Sequence, residues 1–324
     1  MKRIKIADTY LVVKDYHCVE CGDFFKPLEG SSYIEKSETK LWLYVNATDF
    51  CNANCPFCVS RDSCSMTHST VDPSAFEDTL QLIKDFVCGV SITGGEPTLA
   101  LEVVNQLIEV TDKILGHDIE IDLVTNGSNL DKLMHMQWFD RLTSIHISRH
   151  HYDDDINNSI MQWKVPAPFD IRTFMQEVNN PSRVVFNCVL QKGGITSCSD
   201  VQKFLDYSIS LGVRNTSFIT MIKANDYCCE NYISALMFPF VSSLGYAGWN
   251  NSHPNAQFDI WNYHRDRKYC SCLSGGYKNE NGRTRFYFRC PGEEASPDIC
   301  RQLVFTSSNV LQDGFGNNRK ILMK

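Results

Sequence analysis

The stretch CNANCPFC, residues 51–58, places three cysteines within eight residues. It follows KLWLYVNAT, residues 40–48, whose alternating apolar residues and β-formers predict a strand. A loop after a strand lets three thiolates at this CxxxCxxC spacing converge on one metal centre, where they leave one coordination position for another ligand. Soft thiolates select zinc, copper(I) or iron–sulfur clusters. The stretch therefore predicts a metal centre with one open position.

The alternation of strand, loop and helix continues outward from this stretch. Further strands are expected at 89–93, 119–125, 143–148, 183–191 and 215–222, and helices at 72–87, 98–115 and 199–212. Asp72 is the expected N-cap of the first helix, with Pro73 at its first position, and Ser199 or Asp200 is the expected N-cap of the last. Six strands that alternate mainly with helices predict an α/β fold with a parallel sheet, whose ligands gather at the carboxyl ends of the strands.

Composition limits the class of protein. The 324 residues are 43% hydrophobic and 21% charged, with a net charge of −7. We expect no membrane span, because no apolar run approaches the required length, and no broad nucleic-acid binding, because that needs a basic surface. The first residues lack a signal peptide's apolar core, so a cytoplasmic location is expected. Fifteen cysteines in such a chain favour metal binding or catalysis over a disulfide framework.

A second motif, TGGEPTL at residues 93–99, ends the next predicted strand. Together, CNANCPFC and TGGEPTL resemble the radical S-adenosylmethionine superfamily. The resemblance implies a partial (β/α)6 TIM-like barrel, which agrees with the six strands counted from the pattern. A zinc knuckle is the alternative for the three cysteines, but zinc would want a fourth ligand and would not explain the Gly-Gly-Glu-Pro motif.

The resemblance also implies a role for each matching residue. Cys51, Cys55 and Cys58 would ligate a 4Fe–4S cluster, whose remaining iron would bind the amino and carboxylate groups of S-adenosylmethionine. The implied cofactor contacts are Phe57 at the adenine, Gly94, Gly95, Glu96 and Pro97 at the methionine end, Ser148 at the ribose, and Asn187 near the ribose or carboxylate. Glycines allow close backbone approach, and Glu96 could accept a hydrogen bond from the ammonium.

Asn126 follows the third strand and precedes Gly127. The pair is more typical of a plain turn than of a ligand site, and Asn126 is also kept as a candidate cofactor contact. The implied chemistry begins with one electron, from a donor such as flavodoxin or ferredoxin, that passes through the cluster to the sulfonium. The 5′-deoxyadenosyl radical formed would abstract a hydrogen atom from the substrate.

A second set of cysteines lies near the C-terminus. Cys270, Cys272, Cys290 and Cys300 surround RTRFYFR, residues 283–289, which predicts a hairpin strand. The arrangement resembles the auxiliary-cluster extensions called Twitch or SPASM and predicts a second iron–sulfur cluster, with a structural zinc as the alternative. Cys18 and Cys21 in CVECG resemble a zinc-ribbon knuckle and could join this set, since chain ends often lie close together.

CRQLVFTSSNVL, residues 300–311, also resembles the C-terminal stretch of the GTP cyclases of molybdenum-cofactor biosynthesis. This chain has Gln312-Asp313-Gly314 where that family has a further cysteine, and it ends in ILMK instead of Gly-Gly, so cyclase activity is not expected. The predicted organisation is an N-terminal segment with the CxxC knuckle at 1–40, a partial barrel of the radical S-adenosylmethionine type at 41–225 and a cysteine-rich extension with the auxiliary cluster at 226–324.

Two groups on the predicted substrate side are candidates for catalysis. Arg149, His150 and His151 follow Ser148 and could bind an anionic group or exchange protons. Asp153 to Asp155 come next and are expected at a helix N-terminus. Cys228 and Cys229 follow the sixth strand, where one thiol could give a hydrogen atom to a substrate radical, although loop cysteines without a catalytic role are the more common case.

The substrate has two candidate classes. One is a ribosomally made peptide, since Twitch-type extensions are common among enzymes that modify such peptides. The other is a small metabolite such as a nucleotide, sugar or amino acid, whose charged groups would suit Arg149 and the two histidines. We favour the peptide. A hypothesis from a different class is a metal-binding or redox-sensing protein without catalysis, against which the Gly-Gly-Glu-Pro motif and Ser148 argue.

Overall fold

A computed structural model describes residues 2–13, 41–60, 69–164, 166–233, 257–262, 273–279, 282–288, 299–300, 302–315 and 319–324. Within these ranges, no helix is long and apolar enough to cross a membrane. Five of the predicted metal ligands lie outside the described residues, namely Cys18, Cys21, Cys270, Cys272 and Cys290.

The described strands are β1 Lys2–Ile6, β2 Thr9–Val13, β3 Leu41–Asn46, β4 Val87–Thr93, β5 Glu120–Thr125, β6 Ser144–Ser148, β7 Val184–Leu190, β8 Asn215–Thr220, β9 Gln257–Asn262, β10 Leu273–Asn279, β11 Gly282–Phe288, β12 Ile299–Cys300, β13 Gln302–Phe305, β14 Leu311–Gln312 and β15 Ile321–Met323. The described helices are α1 Pro73–Ile83, α2 Leu101–Leu115, α3 Leu130–Met134, α4 Asp154–Met161, α5 Pro168–Glu177, α6 Cys198–Ser210 and α7 Asp226–Asn231.

The six predicted strands are confirmed as β3 to β8, which lie side by side in chain order and are parallel throughout. β4 starts at Val87, two residues earlier than expected, because α1 ends at Ile83 and a short 3₁₀ turn follows it. The sheet is open among the described strands, with β15 and β9 at its edges, as a partial barrel requires.

Local sequence explains where the helices start. The Asp72 carboxylate accepts the Ser74 N–H at 2.9 Å, and Pro73 opens α1 as expected. Asp153 caps α4, which confirms the expected helix start at the Asp run. The expected cap of α6 was wrong. Ser197 is the N-cap, and Asp200 is its partner in a reciprocal capping box, because a Ser three residues before an acidic residue satisfies two backbone N–H groups at once.

The C-terminal strands extend the sheet at both edges. β11 pairs in parallel with β8, and β10 completes the predicted hairpin with β11. β13 pairs in parallel with β3, with Leu303 opposite Leu43. A separate small sheet joins β1, β2 and β12, where Cys300 lies opposite Val13. The C-terminal strands β12 and β13 therefore contact both the N-terminal strand β2 and the first strand of the central sheet, β3.

The two faces of the central sheet differ. On one face, Leu43, Leu123 and Ile145 are fully buried in a core shared with Phe76 of α1 and Leu107 of α2. Alternate residues point to the opposite, concave face, where the side chains of β5 and β6 are half-buried. The concave face and the carboxyl ends of the strands together surround the candidate site.

Candidate metal and cofactor site

The cysteine loop is built directly against the Gly94-Gly95 turn. The Gly95 N–H donates to the Thr48 carbonyl at 2.7 Å, and the Glu96 N–H donates to the Phe50 carbonyl at 2.8 Å. Gly94 has a φ of +140°, which favours glycine. A Cβ on Gly95 would lie 2.0 Å from the Phe50 oxygen. Both glycines are therefore required for the approach of the β4 turn to the residue before Cys51.

Glu96 ties the ends of β4 and β5 together. Its side chain is 1% exposed, and its carboxylate accepts hydrogen bonds from the Thr98 N–H and hydroxyl, the Thr125 hydroxyl and the Asn126 N–H. Burial raises the pKa of Glu96, although the four hydrogen bonds to its carboxylate act to lower that pKa. Glu96 therefore joins the carboxyl ends of β4 and β5 through its hydrogen bonds. Its contact with the ammonium of S-adenosylmethionine stays a prediction.

Asn126 forms the turn that the sequence favoured. Its side-chain oxygen accepts the Ser128 N–H at 2.9 Å, and its amide nitrogen donates to Asn52 Oδ1 at 2.7 Å. Asn52 in turn donates to Ser128 Oγ at 2.8 Å. Sequence reasoning missed Asn52, the residue that links the cysteine loop to the end of β5.

The three thiols are half-buried, and none is in a disulfide. Cys51 Sγ accepts the Ala53 N–H at 3.4 Å, and Cys55 Sγ donates to the Met161 carbonyl at 3.5 Å, at the end of α4. Burial raises the pKa of the Cys51 thiol to about 11. Three soft thiols in one partly sheltered loop fit an iron–sulfur cluster by donor chemistry. In the described part of the chain, however, no three His, Cys, Asp or Glu side chains already meet at one metal position.

Helix α7 holds the other side of the cysteine loop. Asn225 Nδ2 donates to the Pro56 carbonyl at 3.0 Å, and the buried Cys228 thiol donates to the Phe57 carbonyl at 3.6 Å. Cys229 is exposed. Of the two cysteines predicted after the sixth strand, Cys228 is therefore the one in contact with the cysteine loop.

The Arg149-His150-His151 stretch divides between two sides of the sheet. Arg149 is buried against α4 and α6, where it pairs with Asp154 and lies over the Tyr207 ring at 5.0 Å. His151 Nδ1 accepts the Asp153 N–H at 2.9 Å. Arg149 is therefore placed away from the substrate side on which it is predicted, because its guanidinium packs between α4 and α6.

His150 is the member that contacts the cofactor loop. Its ring meets the Phe57 ring edge-to-face, with centroids 4.9 Å apart, and its Nδ1 accepts the Val189 N–H at 3.1 Å. Burial, with a smaller contribution from the Arg149 charge, lowers the pKa of His150 to about 3. The ring is therefore neutral at physiological pH, with its proton on Nε2.

Ser148 and Asn187 lie opposite each other in the register of β6 and β7, at the carboxyl ends of these strands. Asn187 Oδ1 lies 3.1 Å from Nδ1 of His146, a concave-face residue that sequence reasoning missed. Cys300, the one predicted C-terminal ligand among the described residues, is buried, and its thiol donates to the Gln302 carbonyl at 3.5 Å. Burial raises the pKa of Cys300 to about 12.

Comparison with known proteins agrees with this geometry. Residues 45–226 match the family described as the Radical SAM superfamily. The protein named "Probable GTP 3′,8-cyclase" of Thermoplasma volcanium is 28% identical over 121 residues, which cover 37% of this chain and 36% of that protein. The protein of the same name from Thermococcus kodakarensis is 27% identical over 92 residues, which cover 28% and 29%. The chain therefore matches only about a third of the length of these curated relatives.

Among solved structures, the crystal structure of Streptococcus suis SuiB bound to S-adenosylmethionine aligns with a TM-score of 0.56 at 15% identity. The alignment covers 87% of this chain and 63% of that one. At this identity the likeness concerns the fold, and it extends beyond the residues matched by the family.

Proposed function

The chain belongs to the radical SAM superfamily, whose members use a 4Fe–4S cluster and S-adenosylmethionine, and from that premise we propose that it cleaves S-adenosylmethionine reductively and abstracts a hydrogen atom from a substrate bound at the concave face. When bound, the cluster and its cofactor supply the 5′-deoxyadenosyl radical. Cys51, Cys55 and Cys58 would hold the cluster. The rest of the chain holds that loop, shapes the cofactor end of the sheet and positions the substrate.

One observation carries this proposal: the Gly94-Gly95-Glu96 turn packs on the backbone of residues 48–51, where the cysteine loop begins. Two backbone hydrogen bonds join them, and neither glycine tolerates a side chain there. A metal knuckle alone would not need a second strand end in this position. The pairing is what a site needs if it must hold a cluster and a methionine group side by side.

For the substrate, we propose a ribosomally synthesised peptide. The segment after α4 runs past the cysteine loop, since Asn54 Nδ2 donates to Gln162 at 2.9 Å, and Trp163 beside it is 43% exposed. Further along, Pro166 lies against Gly127 at the end of β5, and Phe169 is 73% exposed. Exposed aromatic side chains along the rim of a site suit contacts with a peptide.

A small polar metabolite is the second candidate, and a different observation favours it. The concave face beneath the rim carries Asp122, Ser144, His146 and Asn187, which suit a compact polar ligand better than an apolar side chain. The stretches matched in the two cyclases agree with this alternative without assigning their substrate to this chain.

A second iron–sulfur cluster is also proposed. Within the described residues it is supported by the position of β12, which places Cys300 opposite Val13, at the end of the strand that precedes Cys18 and Cys21 in the sequence. Counting iron tests it. A variant without Cys51, Cys55 and Cys58 should keep about four irons if the second cluster exists and none if it does not.

The central test is anaerobic reconstitution followed by reduction with S-adenosylmethionine present. The wild type should form 5′-deoxyadenosine, and Cys55→Ala should not. Cys198→Ala, which removes a thiol at the start of α6, is the matched control and should retain activity. Absence of 5′-deoxyadenosine from a fully reduced, cluster-loaded wild type would reject the proposal. Transfer of deuterium from a labelled candidate peptide or metabolite into 5′-deoxyadenosine would identify the substrate class.

A further inference from the structure

The concave face of the central sheet is polar where a packed sheet would be apolar. Parallel sheets are normally buried on both faces and read as continuous apolar runs, and filled barrels contain layers of branched apolar side chains. β6 instead reads Ser-Ile-His-Ile-Ser, with both isoleucines buried and the other three residues half-buried. β5 alternates in the same way. This face is therefore suited to a polar ligand.

His146 lies at the centre of this face with a defined ring orientation. Its Nδ1 is 3.1 Å from Oδ1 of Asn187 on β7. With Oδ1 of Asn187 as the acceptor of this contact, we infer that Nδ1 carries the proton of the neutral ring and that Nε2 carries a lone pair. Nε2 lies 3.8 Å from Oδ2 of Asp122, whose Oδ1 accepts the Ser144 hydroxyl at 2.5 Å.

The formal charges on the central strands lie on β5, which pairs with β6. Glu120 and Asp122 of β5 are the only formally charged residues on strands β3 to β8, and both are acidic. The Asp122 carboxylate faces Nε2, so a proton gained at that nitrogen would form an ion pair without any movement of the chain. The His146 side chain is 17% exposed, which leaves it within reach of a ligand.

His146 is also close to the expected cofactor contact. It precedes Ser148 by two residues, and both side chains point to the same face of β6. Two residues along a strand span roughly 7 Å. A substrate whose reacting carbon faced the 5′ position of the cofactor could therefore place a polar group against His146.

We propose that His146 exchanges a proton with the substrate through Nε2. A hydroxyl, amine, amide or thiol X–H of the substrate gives its proton to Nε2, which leaves X with the electron pair and an imidazolium between Asp122 and Asn187. The reverse step returns the proton. No electron is transferred, so this step is chemically separate from cleavage of S-adenosylmethionine, although it rests on the proposed function for its substrate.

The first test needs no substrate. Long-range ¹H–¹⁵N spectra of the reconstituted protein, labelled at its nine histidines and assigned with His146→Gln, report which ring nitrogen carries the proton. The expected result is a neutral form with the proton on Nδ1 and a bare Nε2. A proton on Nε2 in the neutral ring would overturn the proposal, because the proton acceptor would then be turned toward Asn187.

The second test uses the substrate that deuterium transfer identifies. In His146→Gly, the product formed per 5′-deoxyadenosine should fall tenfold or more. Added imidazole should restore product, and pyrrole, which has the same ring size but no basic nitrogen, should not. His117→Gly, at a histidine that is 82% exposed, is the matched control and should behave as wild type.

These outcomes separate the two proposals. If the wild type formed no 5′-deoxyadenosine, the proposed function would fail, whatever the tautomer of His146. If 5′-deoxyadenosine formed and His146→Gly kept its yield of product, only the role of His146 would be rejected. Loss of iron or of substrate-free 5′-deoxyadenosine in His146→Gly would indicate a structural role and would also reject it.

Discussion

At the scale of single residues, Gly95 gives the sharpest prediction. An alanine Cβ there would meet the Phe50 carbonyl oxygen at 2.0 Å, and that backbone cannot retreat without moving Cys51. Gly95→Ala should therefore lower the iron bound after reconstitution and cost about 1–3 kcal/mol of stability or more. Gly194→Ala is the control, since its Cβ would find its nearest neighbours at 3.4 Å. Equal iron content in both variants would contradict this account.

His150 makes a prediction about pH. Its pKa is about 3 in the folded chain, below the ordinary 6.5, so its contribution to stability is complete above pH 6.5 and is lost as the pH falls toward 3. The loss is about 1.4 kcal/mol per pH unit. His150→Asn removes this term, so the stability difference between wild type and variant should shrink by about 2 kcal/mol from pH 6.5 to 5.

Urea unfolding followed by tryptophan fluorescence at several pH values measures this difference. His151 also has a lowered pKa, mainly from burial, but it is present in both proteins and largely cancels. A difference that stays constant with pH would mean that folding does not lower the pKa of His150.

The sequence singles out candidate site residues that belong to a local motif, and it gives no signal for residues that contact them through the fold. The cysteines and the Gly-Gly-Glu turn are short patterns with a known chemical use. Asn52 and His146 gave no such signal, because an asparagine in a loop and a histidine in a strand are common. The alternation in SIHIS was visible, but only the sheet order shows that His146 meets Asp122 and Asn187.

At the scale of elements, the N-cap of α6 is Ser197 in the structure, whereas the sequence pattern predicts Ser199 or Asp200. The Ser197 hydroxyl accepts the Asp200 N–H at 3.1 Å, and Asp200 accepts the Ser197 N–H at 3.0 Å. Ser197→Ala should cost about 1 kcal/mol, the usual value for a lost cap. Ser199→Ala, at the position that the sequence had favoured, should change stability by less than about 0.5 kcal/mol. Thermal denaturation of the two variants decides between the positions.

Two hydrogen bonds join the start of α7 to the cysteine loop, and the one from Asn225 can be tested by substitution. Asn225 Oδ1 accepts the Cys228 N–H at 2.9 Å, while its Nδ2 donates to the Pro56 carbonyl at 3.0 Å. Asn225→Asp keeps the cap but turns an acceptor toward that carbonyl. We expect an intact helix and a severalfold faster loss of iron to a chelator. Unchanged iron loss would show that the Asn225 contact does not hold the cysteine loop.

At the scale of the whole molecule, the six-stranded order was predictable because each parallel strand is followed by its neighbour in the chain. The edges were not. β13 joins β3 across some 260 residues of chain, and β11 joins β8 after a stretch with little periodicity. Short-range patterns do not record such pairings, so the sequence predicts a cysteine-rich extension at 226–324 without indicating that β11 and β13 extend the central sheet.

That difference leads to a prediction about truncation. Leu303 and Phe305 of β13 are fully buried, and the Phe305 ring lies 5.6 Å from that of Phe76 in α1. A fragment limited to residues 41–225 would expose this surface and leave β3 and β8 as bare edges. We expect the fragment to show no cooperative melting transition by circular dichroism, whereas the full chain should melt sharply.

A point substitution separates the loss of packing at β3 from the other effects of truncation. Phe305→Ala should cost about 3–5 kcal/mol, because a fully buried ring is removed from a core that spans β13, β3 and α1. Ile321→Ala, in β15 at the outer edge of the same sheet, should cost little, since that side chain is 46% exposed. If the 41–225 fragment melted cooperatively and Phe305→Ala were neutral, the C-terminal strands would be an addition to a self-sufficient barrel. If both are destabilised, the radical-generating fold and its C-terminal strands form one folding unit, because β13 covers the edge of β3, the first strand of the barrel.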